Sequence, residues 1–212
     1  MSFLWTVLAF NLLNAARIPS DLKPTIGFLF AENDKGEKVP NGTCFFVGIP
    51  NEQEKGKGWA YLVTAEHVLK GSTGKYLARV WLRLNTSNGG NAEFLDVPLS
   101  DPKRKVVFTH PNEKDVDIAV IPILLPPDRL DASALPLSML TTKEDFKSLQ
   151  VGEGTDVFFA GLFTSFFGQL RNLPIFRFRR VALVSEEKIP IQENGRRLML
   201  DLYLIEAQSF RR

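Results

Sequence analysis

The chain has 212 residues, 44% of them hydrophobic, so it is long enough and apolar enough to bury a core. Its 26 lysines and arginines nearly balance its 24 aspartates and glutamates, and the net charge of +2 gives no broad electrostatic argument for a nucleic acid or a membrane as partner. The single cysteine, Cys44, excludes an internal disulfide, which argues against a disulfide-stapled secreted scaffold and favours a reducing compartment such as the cytoplasm. A periplasmic or secreted location stays open.

Residues 1–17 begin with the apolar stretch FLWTVLAFNLL, which at 11 residues is too short to span a bilayer. The stretch is followed by small residues typical of a signal-peptide cleavage site, but no lysine or arginine precedes it. We expect either an apolar N-terminal extension or a signal-like segment here, and no membrane partner.

From Ile26 onward, short apolar and β-branched runs alternate with segments rich in Gly, Pro, Asn and Asp. In chain order the runs are IGFLF, TCFFVGI, WAYLVTA, YLARVWLRL, EFLDVPL, KVVFTH, DIAVIPI, DVFFAGL, IFRFRRVALV and LMLDLYLIEA. Runs of this length and spacing predict strands of an antiparallel barrel or sandwich, and no helical periodicity of comparable length competes with them. The PPD segment at 126–128 predicts a connector between two β halves.

One of the two histidines, His67, follows the third run in the segment YLVTAEHVLKG. The pattern predicts a buried strand and then a short helical turn closed by Gly71, with His67 at the corner. Asp117 stands directly before the apolar run IAVIPI. His67 is either a structural histidine, with Asp117 as a solvated residue at a strand start, or its Nδ1 donates a hydrogen bond to the Asp117 carboxylate.

Four segments together resemble the trypsin-like (chymotrypsin-fold) serine proteases, in particular the bacterial type without disulfides: GTCFFVG, LVTAEHVL, DVDIAVIPI and VGEGTDVFFAG. The resemblance covers about residues 18–212. It implies an all-β fold of two antiparallel β-barrels, with the first in residues 18–125, a connector in 126–139 and a partial second barrel in 140–212. It also implies that His67 is the general base, that Asp117 is the orienting acid, that the substrate is a peptide or protein, and that no cofactor is used.

The family carries its nucleophile in a Gly-x-Ser-Gly-Gly-Pro turn, and that motif does not occur in these 212 residues. Ser165 and Ser209 lack the flanking glycines, which favours ordinary loop hydroxyls. We therefore expect a truncated serine endopeptidase domain with an incomplete second barrel, inactive as given, whose serine lies beyond Arg212. The alternative is a catalytically dead protease-fold module that binds peptides or partner proteins.

Three weaker signals remain. Glu66 stands where the family more often has a small residue, and its carboxylate either faces solvent or points inward to His67.

A metal site built from His67, His110, Asp115 and Asp117 lacks a tetrahedral ligand pattern, so no metal is expected. The last third of the chain is basic, but no recognition motif accompanies this charge and no nucleic-acid partner is expected; its arginines are Arg171, Arg177, Arg179, Arg180, Arg196, Arg197, Arg211 and Arg212.

Overall fold

The structure is a computed structural model that describes residues 18–54, 57–113, 116–193, 196–200 and 202–206. The N-terminal segment 1–17 lies outside the described residues, and so do Asp115, Ser209, Arg211 and Arg212.

Strands dominate the described part of the chain. They are β1 (Ile26–Glu32), β2 (Lys38–Pro50), β3 (Gly58–Thr64), β4 (Arg79–Leu84), β5 (Glu93–Pro98), β6 (Phe108–Thr109), β7 (Ala119–Ile123), β8 (Leu135–Pro136), β9 (Asp156–Gly161), β10 (Ile175–Val184), β11 (Ile189–Glu193), β12 (Arg196–Leu200) and β13 (Tyr203–Ile205). Short 3-10 helices cover Ser20–Thr25, Glu66–Leu69 and Leu137–Met139, and one α-helix, α1, covers Lys143–Ser148. Every helix within the described residues is too short or too polar to cross a membrane.

The first sheet is built from the strands between residues 26 and 136. Its order is β5-β4-β1-β2-β3-β7-β6, with neighbours antiparallel, and β8 adds to β2 in parallel. The sheet curls into a half-barrel. Strand β2 runs for 13 residues, and this length lets it pair with β1 at one end and with β3 at the other.

The concave face of this sheet holds the hydrophobic core. Large apolar side chains such as Phe46, Leu62 and Leu82 are fully buried there. Burying each of them stabilises the fold by about 1.5–3 kcal/mol relative to an exposed side chain. Cys44 is buried among them, and burial raises the pKa of its thiol.

The connector segment is part of this first packing unit. Leu130 is 1% exposed and belongs to the core cluster, and Leu135 pairs with Val47 of β2. The segment from 126 to 139 therefore packs along the sheet and does not cross open solvent.

Residues after the connector form smaller sheets. Strands β9, β10 and β13 make one sheet in the order β13-β10-β9, and β11 and β12 make a separate hairpin. Helix α1 begins with a capping box, in which Thr142 and Asp145 satisfy each other's backbone N–H groups. Of the described residues after Leu130, only Asn172 and Val181 are buried.

Several contacts join the part of the chain after the connector to the first sheet, and two of them involve side chains of β2 and β4. The hydroxyl of Thr43 on β2 accepts a hydrogen bond from the Leu162 N–H at 2.8 Å. The Arg83 guanidinium on β4 donates to the carbonyl oxygens of Gly168 and Gln169 at 2.8 and 2.6 Å.

The all-β class predicted from the sequence is confirmed, and each of the ten predicted runs contains a strand. The prediction missed β8, β11 and α1. The last run also differs from the prediction, because it is divided between β12 and β13. The observed architecture is one curled sheet with two smaller sheets. The finer expectation of two antiparallel barrels, the second incomplete, stays a prediction.

Candidate active site

The turn that carries His67 is anchored by its apolar half. Strand β3 ends at Thr64, and the 3-10 helix Glu66–Leu69 follows after one extended residue. Val68 and Leu69 are buried in the core, whereas the His67 side chain is 74% exposed. The Asn41 side-chain amide donates to the Val68 carbonyl at 2.6 Å and ties this turn to β2. The imidazole is therefore exposed to solvent, whereas the turn that carries it is held by the buried Val68 and Leu69 side chains and by Asn41.

Strand pairing brings Asp117 to this turn. Strands β3 and β7 are antiparallel, and Thr64 is paired with Ala119 at the end of the ladder. Continuing the same register by two residues sets Asp117 opposite Glu66 and next to His67. The 50 residues that separate His67 from Asp117 in sequence are thus bridged by a single antiparallel pairing.

Both carboxylate oxygens of Asp117 contact His67. The Oδ2 atom lies 2.5 Å from the ring Nδ1, and Oδ1 accepts a hydrogen bond from the His67 backbone N–H at 2.9 Å. An ionised carboxylate can only accept, so Nδ1 carries the ring proton and the neutral imidazole presents an unprotonated Nε2. The arrangement is the one expected for a histidine held ready to take a proton.

The environment of Asp117 favours its ionised form. Partial burial raises the pKa of the Asp117 carboxyl, but the His67 ring and the backbone N–H groups of His67 and Glu66 outweigh that effect and hold the pKa below its ordinary value. Asp117 is therefore charged at neutral pH, as the hydrogen bond to Nδ1 requires.

Glu66 follows neither of its two expected arrangements, because its carboxylate is directed at the residues that come after the turn. It accepts a hydrogen bond from the Tyr76 hydroxyl at 2.5 Å and pairs with Lys70 Nζ at 2.8 Å. Burial raises the pKa of Glu66, but these two partners lower it further than burial raises it. Burial and the Glu66 carboxylate raise the pKa of Tyr76 to about 12.

Lys70 and Tyr76 were not among the residues predicted for the site. The Glu66–Lys70 spacing of four residues was the one available signal, since oppositely charged side chains at that spacing meet on a helical turn. No sequence pattern indicated that Tyr76 contacts Glu66, because that contact depends on the loop between the turn and Tyr76.

His110 lies in the loop after β6, and its Nδ1 accepts a hydrogen bond from the Glu113 N–H at 2.9 Å. It lines a cleft of about 250 Å³ on the Glu66 side of the turn, together with Lys70 and Val116. In the described part of the chain, no group of three or more His, Cys, Asp and Glu side chains is arranged to hold a metal ion. Asp115, one of the four residues of the metal site that the sequence did not favour, lies outside the described residues.

Ser165 and Ser209 are the two serines that the sequence favoured as ordinary loop hydroxyls. Ser165 is exposed in the loop between β9 and β10, in the turn where the Phe166 N–H donates to the Phe163 carbonyl. Ser209 lies outside the described residues.

Several arginines of the basic C-terminal third make local contacts. Arg180 pairs with Asp156 at 3.1 Å, Arg171 donates to the Gly90 carbonyl at 2.8 Å, and the Arg177 guanidinium lies over the Phe159 ring. These three arginines therefore make contacts within the fold.

Comparison of the sequence with protein-family models finds no match, and comparison with curated proteins finds none either. The functional assignment accordingly depends on the geometry of His67 and Asp117 and on the motifs that carry the resemblance.

Proposed function

We propose that this chain is part of a trypsin-like serine endopeptidase domain, in which His67 is the general base and Asp117 the acid that orients it. The single observation that carries the proposal is the pair of hydrogen bonds from His67 to Asp117, one from the ring Nδ1 and one from the backbone N–H. A solvated aspartate at a strand start has no reason to contact both groups of one histidine, so this geometry favours the catalytic interpretation over the structural one.

In the proposed reaction, His67 Nε2 takes the proton from a serine hydroxyl as the serine oxygen attacks the carbonyl carbon of a peptide bond. Asp117 stabilises the imidazolium that forms and keeps the ring oriented. The imidazolium then gives its proton to the departing amine, and an acyl-enzyme remains. A water molecule, deprotonated by the same Nε2, releases the acid and restores the serine.

The proposal requires a serine that these 212 residues do not carry in the family's glycine-rich turn. The serine and the N–H donors of the oxyanion hole would come from chain outside the given sequence. The 212 residues alone are expected to hydrolyse no peptide.

A second candidate function is peptide or protein binding without turnover on the same fold. It is favoured by the aromatic face of β9 and β10, where Phe158 and Phe178 lie opposite each other and are 43% and 52% exposed. Exposed apolar surface of this kind is typical of interaction sites.

The test compares the natural gene product with three variants on a library of fluorogenic peptides. We expect His67→Ala to abolish turnover and Asp117→Asn to lower kcat by about 10⁴-fold, because the ring loses its oriented tautomer. His110→Ala, which removes the chain's other histidine, should retain the wild-type rate. Absence of hydrolysis by the folded wild-type protein, together with capture of uncleaved peptides, would favour the binding function instead.

A further inference from the structure

Glu66 is the charged residue of the His67 turn, and two partners hold its side chain. Its side chain is 19% exposed, compared with 74% for His67, and it contacts Lys70 and Tyr76 at the same time. A carboxylate that stands one residue before the histidine is thus fixed to a neighbouring part of the fold.

The partners of Glu66 are themselves held in place. Lys70 and Tyr76 form an isolated antiparallel bridge, and the Gly71 N–H donates to the Lys75 carbonyl at 2.9 Å inside the loop that they close. The Leu77 N–H then donates to the carbonyl of Leu69, the last residue of the 3-10 helix. Tyr76 is therefore fixed relative to the turn, and its hydroxyl provides Glu66 with a stationary donor.

The residue that follows Glu66 in the same turn contacts Asp117 twice. The His67 N–H donates to Asp117 Oδ1 at 2.9 Å, and the His67 ring Nδ1 lies 2.5 Å from Oδ2. The orientation of this N–H group depends on the rotation of the turn, which the Glu66 side chain restrains.

This anchoring has an electrostatic cost, because the Glu66 and Asp117 carboxylates repel each other. Lys70 offsets the repulsion with its ammonium group 2.8 Å from Glu66. A surface carboxylate without a role would be expected to turn away from Asp117 into solvent.

We propose that Glu66 is a positioning residue for the His67–Asp117 pair: held by Lys70 and Tyr76, it fixes the turn so that the backbone N–H and the ring of His67 meet the Asp117 carboxylate together. The inference deepens the proposed endopeptidase function and depends on it for its kinetic consequence. Glu66 itself contacts no reacting atom.

The structural half of the test uses the 212-residue chain with ¹⁵N-labelled histidine. Ring-nitrogen NMR shifts at a pH where the imidazole is neutral report the fraction of His67 protonated on Nδ1. We expect nearly all of it in the wild type and a clear loss to the Nε2-protonated form in Glu66→Ala. Glu66→Gln should restore most of the wild-type fraction, because the amide oxygen still accepts from Tyr76 and Lys70.

Two further variants keep the test decisive. Tyr76→Phe removes one hydroxyl and little packing, so it reports on the anchor even where Glu66→Ala does not fold, and it should give a smaller loss in the same direction. Asp96→Ala removes a comparable ion pair, to Arg79 at 2.6 Å, far from the turn and should leave the His67 ring unchanged. An Nδ1-protonated fraction that is the same in Tyr76→Phe and in every folded Glu66 variant as in the wild type would overturn the proposal.

The kinetic half uses the natural gene product. Glu66→Ala should lower kcat by about 10- to 100-fold with KM little changed, since a misplaced base slows the chemical step and leaves binding intact. An unchanged kcat in Glu66→Ala overturns the role of Glu66 in a working enzyme. Absence of hydrolysis by the wild type contradicts the endopeptidase function, and the NMR result then decides separately whether Glu66 positions the pair.

Discussion

Asp117 contacts His67 through both of its oxygens, and each contact depends on its negative charge. The same contacts hold the pKa of Asp117 below its ordinary value, so folding favours the ionised form. A carboxyl whose pKa is lower in the folded than in the unfolded state contributes stability above the unfolded pKa, about 3.9 for aspartate. That contribution is lost as the pH falls through the folded pKa.

We therefore predict that wild type is more stable than Asp117→Asn at neutral pH and that the difference shrinks as the pH falls below about 4. Urea unfolding of both proteins at a series of pH values measures the difference in the free energy of unfolding. Asp145 and Glu153, two other carboxyls with lowered pKa values, are present in both proteins and cancel. Glu66 does not cancel fully, because the Asp117 carboxylate raises its pKa in the wild type only. A difference that stays constant down to strongly acidic pH would contradict the pairing.

At the site, the local patterns indicated His67 and Asp117 as candidates, and their proposed roles came from the family resemblance. Their contact was not derivable from the residues alone, since it depends on the pairing of β3 with β7 over 50 residues. The arrangement of Glu66 was missed for the same reason: its partner Tyr76 is placed by a loop, and loops carry little periodicity.

The Arg83 side chain on β4 connects the first sheet to the loop after β9 by hydrogen bonds. Its side chain is buried without a carboxylate partner among the described contacts, donates to two carbonyl oxygens, and lies near the rings of Phe30, Phe94 and Phe167. Burial lowers the pKa of Arg83, but a guanidinium stays protonated at any pH at which the protein folds.

Replacing Arg83 with Met keeps the apolar stem and removes both hydrogen bonds, so we expect a loss of about 2 kcal/mol in the free energy of unfolding. Arg79 lies on the same strand, and its exposed ion pair with Asp96 makes Arg79→Met the matched control, with an expected loss of about 0–1 kcal/mol. Denaturant unfolding of the two variants provides the comparison. Equal losses would mean that Arg83 does not link the two parts of the chain.

The three elements that the sequence did not predict are short or contain a proline, but neither property alone explains the failure, because β6 has two residues and β7 contains Pro122 and both lie in predicted runs. Strand β8 has two residues, α1 has six, and β11 contains Pro190, which removes a backbone donor. Only the Thr142–Asp145 capping box signalled α1 in the sequence. Such elements are fixed by tertiary contacts more than by their own pattern.

For the whole molecule, the distribution of buried side chains is strongly unequal. The core cluster lies entirely between Leu29 and Leu130, whereas Asn172 and Val181 are the buried residues described beyond it. Local stability follows the number of buried apolar contacts. The first sheet should therefore be the most stable part of the described chain.

Hydrogen exchange tests directly whether the first sheet is more stable than the sheet that contains β9 and β10. We predict that paired amides of β1, β2 and β3 exchange at least about tenfold more slowly than paired amides of β9 and β10, which corresponds to a difference in opening free energy of ~1.4 kcal/mol. Mass spectrometry on peptic fragments gives the comparison within one sample. Equal protection across the two regions would show that they unfold as one unit.

The sheet order could not have been predicted from the strand patterns. Strand β1 lies between β2 and β4, and β3 between β2 and β7, so neighbours in the sheet are often distant in sequence. The apolar pattern of a strand determines which face is buried and does not determine its partner. The sequence therefore indicated the class and the number of main strands, and the pairing required the structure.

We propose that His67, oriented by Asp117, activates a serine. Covalent labelling of the natural gene product by a serine-directed fluorophosphonate measures this activation most directly, with the labelled residue located by mass spectrometry. We expect a single labelled serine, near-complete loss of labelling in His67→Ala, and labelling as in wild type in His110→Ala. Wild-type protein that is folded and remains unlabelled, or labelling that persists at the same rate in His67→Ala, would contradict it.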